Sequence, residues 1–322
     1  MAPLRFGTLG CAEFARRRML PAMAAGPDTE VAAVASRDGA KAAQTAARFG
    51  GTAVHGYAEL LERDDVDAVY VPLPPALHAE WTKKALLAGK HVLAEKPLTT
   101  DAARTGELFD LARDRGLVLM ENVMFVHHSQ HTVVARLLRD GAIGELRALH
   151  ATFTVPRLPE DDIRYRRDLG GGALWDIGIY PVRAALHLLG DRLELIGAQL
   201  TTGAGREVDT AGTALLATPE GVAAQLTFGM DHSYRNTYEL AGSEGRIIVD
   251  RAFTPPADHS PLLRIERATG TEERRLEADD QVAGTLGAFV SAVRRGIPVP
   301  DRVCRAQAAL LDAIRASAVV AG

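Results

Sequence analysis

Three residues of this chain could together transfer a proton, namely Lys96, Asp176 and Tyr180. Lys96 follows the short apolar run 91–94 and precedes Pro97, so it stands at the carboxyl end of a predicted buried strand. Ligands bind at that end of the strands in open α/β sheets. Pro97 restricts the preceding residue to extended geometry, which holds the lysine in one direction. The alternative interpretation is a solvated lysine before an ordinary turn.

The acid and the phenol belong to one predicted helix. Asp176 and Tyr180 are four residues apart, so they share one helix face. Three glycines at 170–172 precede this helix and let its backbone pass close to another surface or to a ligand. An acid and a phenol aimed together at a lysine would form a proton-transfer site. Alternatively, Asp176 caps a helix and Tyr180 fills the core.

The first half of the chain must position Lys96. A strand at 4–10 ends in Gly10, and a helix to about residue 25 follows it. This is the context of a dinucleotide fingerprint, with Ala12 in place of the second glycine and Ala15 at the third position. Further predicted strands, separated by helices, lie at 31–35, 52–55, 67–71, 91–94 and 118–122. Their alternation predicts a parallel, doubly wound α/β sheet.

The end of the second strand indicates which dinucleotide binds. An NAD enzyme has an acid there for the ribose hydroxyls, whereas this chain has Ser36 and Arg37, with Lys41 one turn later. A hydroxyl and two cations suit the 2′-phosphate of NADP, although they could also be a helix cap beside solvated bases. The residues predicted to face NADP(H) besides these three are Gly10, Cys11, Ala12, Glu13, Phe14, Pro72, Leu73, Pro74, His78, Glu95, Lys96 and Asn122.

The second half of the chain has a different pattern. Long strands are predicted at 193–202, 210–217, 222–230, 234–241, 246–250 and 262–267. Short turns join them, which predicts a largely antiparallel sheet. Two helices, at 282–295 and 303–320, end the chain. We therefore predict a dinucleotide-binding domain at 1–123 and an α+β substrate-binding and oligomerisation domain at 124–322.

The composition restricts the remaining function classes. A chain of 322 residues corresponds to about two domains. It has no run of roughly 18 apolar residues and no charged-then-apolar leader, so we predict a cytoplasmic protein without a membrane partner. Cys11 and Cys304 are far apart and do not suggest a disulfide framework. The net charge of −4 argues against a general nucleic-acid binder.

A group of histidines and a group of arginines remain as binding candidates. His127, His128 and His131 resemble metal ligands, but adjacent histidines cannot share one helix face, so we predict substrate or cofactor contacts and no metal. Arginine forks match phosphate oxygens, so Arg164 and Arg166 could bind a substrate diphosphate. A solvated basic loop is the alternative for these arginines.

The ordered set of a Gly-x-x-Ala turn, Glu95-Lys96-Pro97, and Gly-Gly-Gly-Ala-x-x-Asp-x-Gly-x-Tyr resembles the glucose–fructose oxidoreductase / inositol dehydrogenase (Gfo/Idh/MocA) family. The resemblance implies a Rossmann domain and a second domain with an open, mostly antiparallel sheet. It implies hydride transfer between nicotinamide and a carbon bearing oxygen, usually on a sugar or polyol. It also implies that Lys96 and Asp176 are active-site residues, and that the chain forms a homo-oligomer through the second sheet.

Two positions and three stretches narrow this resemblance. Many members have histidine in place of Tyr180, and aspartate in place of Arg183, which argues against an inositol-dehydrogenase-like site. Residues 11–21, 121–131 and 165–166 are most similar to nucleotide-sugar 3-ketoreductases of antibiotic deoxysugar pathways. These reduce the C3 ketone of a dTDP-linked sugar with NADPH. The predicted substrate contacts are Phe125, His127, Arg164, Tyr165, Arg166 and Trp175.

The chemistry implied is reduction of a ketone with protonation of the developing alkoxide. Tyr180 is the first candidate donor, and Lys96 would stabilise the oxyanion or donate the proton itself. Asp176 would hold the lysine charged and oriented. An NADP-dependent sugar or trans-dihydrodiol dehydrogenase could use the same three residues in the oxidative direction. A non-enzymatic NADP sensor would not need them.

Overall fold

The computed structural model describes residues 2–321, which form two compact units. Unit 1 contains the residues up to Val123 together with Val282–Asp301. Unit 2 contains Met124–Gln281 and the residues from Arg302 on. The predicted outer domain limits, residues 1 and 322, lie outside the described residues. No helix within residues 2–321 is both long and apolar enough to cross a membrane.

Unit 1 is a six-stranded sheet with helices. Its strands are β1 (Leu4–Leu9), β2 (Thr29–Ser36), β3 (Thr52–His55), β4 (Ala68–Val71), β5 (His91–Glu95) and β6 (Leu119–Asn122). Its helices are α1 (Leu20–Ala25), which continues a π-helical segment (Ala15–Met19), α2 (Gly39–Phe49), α3 (Tyr57–Leu61), α4 (Pro75–Leu87) and α5 (Ala102–Asp114). Every neighbouring pair of strands is parallel, in the order β3-β2-β1-β4-β5-β6. This is the strand order of a Rossmann fold, as the alternating pattern predicts.

Helix α8 (Gln281–Arg295) returns to unit 1 from Val282 on, whereas the sequence-based division assigned it to the second domain. The Phe289 ring lies 5.6 Å from the ring of Phe6 on β1. Both of these side chains are fully buried. The apolar face of α8 therefore completes the core around β1, and this long-range packing has no local signal in the sequence.

Unit 2 contains a nine-stranded sheet. Its strands are β7 (Leu146–Thr154), β8 (Glu194–Thr201), β9 (Ala211–Ala217), β10 (Ala223–Gly229), β11 (Arg235–Gly242), β12 (Gly245–Asp250), β13 (Leu262–Arg267), β14 (Gly270–Arg275) and β15 (Val319–Ala321). Its helices are α6 (Ser129–Arg139), α7 (Ile179–Leu189) and α9 (Arg302–Ser317), and a π-helical segment (Leu174–Gly178) leads into α7. The order is β14-β13-β12-β11-β7-β10-β9-β8-β15, antiparallel except for the β7–β10 and β8–β15 pairs.

One face of this sheet forms the core of unit 2, and the other face is open. Along β9, Gly212, Ala214 and Leu216 are buried, while the residues between them are more exposed. The same alternation runs through β10 and β11. The buried face therefore meets the helices, and it also carries Phe153 and Tyr238.

Two strands were not predicted, and one helix is shorter than predicted. Strand β14 has the sequence Gly-Thr-Glu-Glu-Arg-Arg, which is too polar to suggest a strand. It is polar because it forms an exposed edge of the sheet, beside β13. Strand β15 was predicted as the end of the last helix. It pairs instead with β8, with Val319 opposite Gln199, so pairing with a distant strand overrides the local helical pattern.

Candidate active site

The turn after β1 has the geometry of a dinucleotide fingerprint. Gly10 has φ of +100°, in the left-handed region, and a Cβ added there would lie 3.0 Å from Leu73 Cδ2. Ala15, at the third fingerprint position, is fully buried, which gives the helix the close approach to the sheet that this position needs. Cys11, Ala12, Glu13 and Phe14 lie on the surface of this turn, partly or largely exposed. The turn therefore fits a pyrophosphate.

The predicted phosphate-recognition residues lie beside this turn in unit 1. Ser36 ends β2, and its Oγ accepts a hydrogen bond from Asp38 N at 3.1 Å. Asp38 itself caps α2 by accepting from the backbone N–H of Lys41, so its carboxylate is already engaged. Cys11 Sγ donates to the carbonyl oxygen of Lys41 at 3.6 Å, which joins the fingerprint turn to the first turn of α2. Arg37 is exposed next to them, so the donor set suits a phosphate better than a diol.

The His78 ring lies between two backbone segments of unit 1, within hydrogen-bond distance of a carbonyl oxygen of each. Its Nδ1 lies 2.7 Å from the carbonyl oxygen of Pro97, and its Nε2 lies 2.5 Å from that of Leu73. Burial lowers the pKa of His78, so the ring is neutral and donates to one oxygen at a time. Because the side chain is buried behind the 72–74 turn, its direct contact with a cofactor stays a prediction.

A partly buried carboxylate, that of Glu95, lies next to Lys96 at the end of β5. Glu95 Oε1 accepts hydrogen bonds from Tyr70 Oη and from Asn122 Nδ2, both at 2.7 Å. Burial raises the pKa of Glu95, and the two hydrogen bonds oppose that effect. Asn122 is buried, and its Nδ2 makes the bond to Glu95 while its Oδ1 has no hydrogen-bond partner within residues 2–321. Glu95 and Asn122 therefore fix the end of β5 and β6, and their predicted contact with a cofactor remains untested.

In unit 2, Asp176 lies in the π-helical segment before α7. Its Oδ2 accepts a hydrogen bond from Arg164 Nε at 2.7 Å, and Arg164 Nη1 also lies 3.1 Å from Asp162 Oδ1. The two carboxylates raise the pKa of Arg164, so it stays charged. The sequence assigned Arg164 to a diphosphate and did not single out Asp162. Within unit 2, Arg164 orients the Asp176 carboxylate, and its predicted contact with a diphosphate stays a prediction.

Tyr180 lies on α7 with its ring enclosed by aromatic side chains. Its ring centroid is 4.9 Å from Phe153, 5.9 Å from Phe253 and 6.2 Å from Phe125. Only 9% of the residue is exposed. This packing holds the phenol in one orientation. Phe125 is buried within the same group, so it supports Tyr180 directly, and its predicted contact with substrate is not tested.

The other predicted substrate contacts differ in accessibility. Tyr165 is buried, with its hydroxyl accepting from Leu158 N at 3.1 Å and the Arg206 guanidinium 3.7 Å above its ring. Arg166 is exposed and pairs with Asp168 at 2.6 Å. Trp175 is buried, and His127 is partly buried. Of this set, Arg166 is therefore the residue most available to an anionic ligand.

Comparison with known proteins identifies the family. A model of the oxidoreductase family with an NAD-binding Rossmann fold (GFO_IDH_MocA) matches residues 4–123. A model of the GFO/IDH/MocA C-terminal domain matches residues 131–248. The chain belongs to the Gfo/Idh/MocA oxidoreductase family.

Within this family, the chain is similar to named reductases. It is 60% identical over 293 residues to a dTDP-3,4-didehydro-2,6-dideoxy-alpha-D-glucose 3-reductase of Streptomyces violaceoruber, covering 91% of this chain and 86% of the relative. It is 54% identical to the reductase of the same name from Actinomadura kijaniata, covering 98% and 96% of the two chains. A solved structure of a 3-ketoreductase from Actinomadura kijaniata, in complex with NADP and TDP-benzene, matches with a TM-score of 0.97, 54% identity and 99% coverage of both chains.

The glycines of the Gfo/Idh/MocA signature in this chain serve close backbone packing. A Cβ added at Gly171 would lie 2.4 Å from the carbonyl oxygen of Arg164, and one added at Gly172 would lie 2.6 Å from Asp209 Oδ1. Asp209, which the sequence analysis missed, accepts from Leu174 N at 2.6 Å and so caps the segment that carries Asp176. Its distance in sequence from that segment left no local signal.

Replacing Gly171 with Ala is expected to lower the free energy of unfolding by about 1–3 kcal/mol, because the new methyl group meets backbone that cannot rotate away. Urea unfolding measures the change. Gly287→Ala is the matched control, since nothing lies within 4 Å of a Cβ added there, and it should leave stability equal or higher. An unchanged stability of Gly171→Ala would show that the 164–166 segment is not packed as described.

The buried His131 gives unit 2 a predicted pH dependence. Its Nδ1 accepts from Tyr238 Oη at 2.9 Å and its Nε2 donates to the carbonyl oxygen of Ala252 at 3.0 Å. Burial lowers the pKa of His131 from 6.5 to about 3. Below about pH 6.5, His131 therefore binds a proton in the unfolded chain but stays neutral in the folded chain.

Stability should thus fall as the pH drops from 6.5 toward 3, by about 2 kcal/mol at pH 5 from this residue. The measurement is urea unfolding at pH 7.5 and at pH 5 for the wild type and for His131→Gln, which can keep one donor and one acceptor. The variant should lose less stability between the two pH values. An equal loss would assign the pH dependence to other groups, such as His78.

Proposed function

We propose that this chain catalyses the NADPH-dependent reduction of the C3 ketone of a dTDP-linked keto-deoxyhexose. The observation that carries the proposal is the near full-length identity of 60% and 54% to two dTDP-sugar 3-reductases. The reaction consumes a ketone, NADPH and a proton, and yields an alcohol and NADP⁺. A place in the biosynthesis of an antibiotic sugar follows from the same similarity.

Unit 1 supplies the proposed cofactor site. The Gly10 turn would receive the pyrophosphate, while Ser36, Arg37 and Lys41 would bind the 2′-phosphate that distinguishes NADPH from NADH. When bound, NADPH supplies the hydride. The bond from Cys11 Sγ to the carbonyl oxygen of Lys41, at 3.6 Å, supports this assignment, because it joins the turn to the helix that carries Lys41.

Three residues are proposed to protonate the developing alkoxide and to stabilise its negative charge. Tyr180 donates its phenolic proton to the developing alkoxide, and the ammonium group of Lys96 stabilises the oxyanion. Lys96 as the donor is the alternative that the sequence left open. The rigid aromatic surroundings of Tyr180 support its role, because a donor must be held in position before the reaction.

Asp176 is proposed to fix the charge of the site rather than to transfer the proton. Its hydrogen bond to Arg164 supports an ionised carboxylate, which can also favour the charged form of a nearby lysine. Since Arg164 is engaged by Asp162 and Asp176, we assign the substrate diphosphate mainly to Arg166. Binding would then displace Asp168 from Arg166.

The proposed assembly is a homo-oligomer in the cytoplasm. The open face of the second sheet supports the assembly, since Leu215 on β9 is exposed there and the neighbouring positions are small or uncharged. Within the described residues, neither Cys11 nor Cys304 forms a disulfide, which suits a reducing compartment. Size-exclusion chromatography with light scattering tests the assembly, and a monomer at micromolar concentration would contradict it.

The experiment that tests the function begins with fluorescence titrations of NADPH and NADH. A dTDP-3,4-diketo-2,6-dideoxyhexose is then generated in situ, and NADPH oxidation is followed by absorbance. Oxidation that depends on this sugar is the expected result. Tight NADPH binding without oxidation would contradict it, and NADPH formation from NADP⁺ with simple sugars or diols would establish the dehydrogenase alternative.

A further inference from the structure

Unit 2 carries an exposed aromatic side chain beside the sheet face against which Tyr180 packs. Tyr234 is 48% exposed and directly precedes β11. Side chains alternate between the two faces of a strand, so Tyr234 and Asn236 project on the same side. Asn236 lies opposite Phe153 in the β7–β11 register, and the Phe153 ring contacts Tyr180. Tyr234 therefore projects from the face that holds the proposed proton donor.

A buried amide holds this exposed ring in place. Asn236 is buried, and its Nδ2 donates to Tyr234 Oη at 3.0 Å and to Thr254 Oγ1 at 2.8 Å. Its Oδ1 accepts from the backbone N–H of Phe253 at 2.8 Å. Phe253 is one wall of the aromatic group around Tyr180. The Asn236 side chain thus fixes both the Tyr234 ring and the surroundings of Tyr180. A ring that is already fixed loses little conformational entropy when a ligand stacks on it.

The segment that carries Tyr234 lies at the same end of the sheet as the arginine segment 164–166. Thr154 Oγ1, at the end of β7, donates to the carbonyl oxygen of Ser233 at 2.7 Å. Tyr165 Oη donates to the carbonyl oxygen of Met230 at 3.4 Å. The segment 230–234, which ends in the exposed ring, is therefore hydrogen-bonded both to the end of β7 and to the neighbour of Arg166.

We propose that the Tyr234 ring is the platform on which the nucleobase of the substrate stacks. This inference rests on the proposed function, because it needs a nucleotide-linked substrate. The Cα atom of Tyr234 lies about 7 Å along the chain from that of Asn236. In a nucleoside-diphosphate sugar, a ribose and two phosphates separate the base from the sugar. With the ketone at Tyr180, the base lies away from the donor, at Tyr234, and Arg166 binds the diphosphate.

The test is the affinity for dTDP, measured by calorimetry for the wild type, Tyr234→Ala and Tyr234→Phe. Stacking on an aromatic ring contributes enough that Tyr234→Ala should weaken dTDP binding about tenfold, whereas Tyr234→Phe should stay within about threefold. NADPH affinity should not change in either variant. Tyr234→Ala should fold, because Asn236 Nδ2 keeps its bond to Thr254. Ile196→Ala, which truncates a side chain 61% exposed on β8, is the matched surface control.

Inorganic pyrophosphate, which has no base, separates stacking from charge. Its inhibition constant should be the same for the wild type and Tyr234→Ala. Equal dTDP affinity in those two proteins would overturn the inference and leave the proposed function intact. An equal loss of dTDP and pyrophosphate affinity would also overturn it, since the effect would then be on the diphosphate contacts. A wild type that binds NADPH but no dTDP would overturn the proposed function itself.

Discussion

Replacing Tyr180 with Phe is expected to lower kcat for ketone reduction by about 10²- to 10⁴-fold, the usual contribution of a positioned general acid. The ring stays in its aromatic surroundings, because Phe153, Phe253 and Phe125 contact the ring itself. Stability and NADPH affinity should therefore change little. Steady-state kinetics with the dTDP-ketosugar, beside a fluorescence titration of NADPH, measure both quantities.

Tyr238→Phe is the matched control, since it also removes one hydroxyl from a buried tyrosine of unit 2. Its hydroxyl bonds to His131, so the control should lose stability and keep kcat within about threefold. A wild-type rate for Tyr180→Phe would move the proton-donor role to Lys96. A loss of NADPH binding would instead indicate a structural defect.

Replacing Lys96 with Met should lower kcat by at least about 10²- to 10³-fold, because the developing oxyanion loses its cation. The chain length is kept, and the buried bonds of Glu95 to Tyr70 and Asn122 do not involve the lysine side chain. The end of β5 should therefore stay folded. Lys84→Met, which removes an exposed lysine that pairs with Glu80 and lies over the Trp81 ring, should leave kcat unchanged.

The double variant tests whether the two residues act on one group. If Tyr180 and Lys96 serve the same oxyanion, the losses in the double variant should be clearly smaller than the product of the single losses. Fully multiplicative losses would mean independent roles. In that case Lys96 would act through cofactor binding, and its single variant should show a weakened NADPH affinity.

Local sequence patterns predicted the sheet of the first unit. Apolar strands alternating with helices, and the glycine at the end of β1, are local signals, and they predicted the six strands of a parallel, doubly wound sheet. The motifs around Lys96 and Asp176 also indicated the family correctly, because each motif is a short run of adjacent residues. Alternation predicted most strands of the second sheet for the same reason.

Features that depend on residues far apart in the chain became known only from the folded structure. The return of α8 to unit 1 rests on Phe289 against Phe6, and the pairing of β15 with β8 replaced a predicted helical turn. The partner of Asp176 in unit 2 proved to be Arg164, which the sequence had assigned to a diphosphate. The hydrogen bond from Asn236 to Tyr234 could not be predicted from any local sequence pattern. A hydrogen bond or a ring contact depends on where the fold brings two side chains, and the order of residues does not contain that information locally.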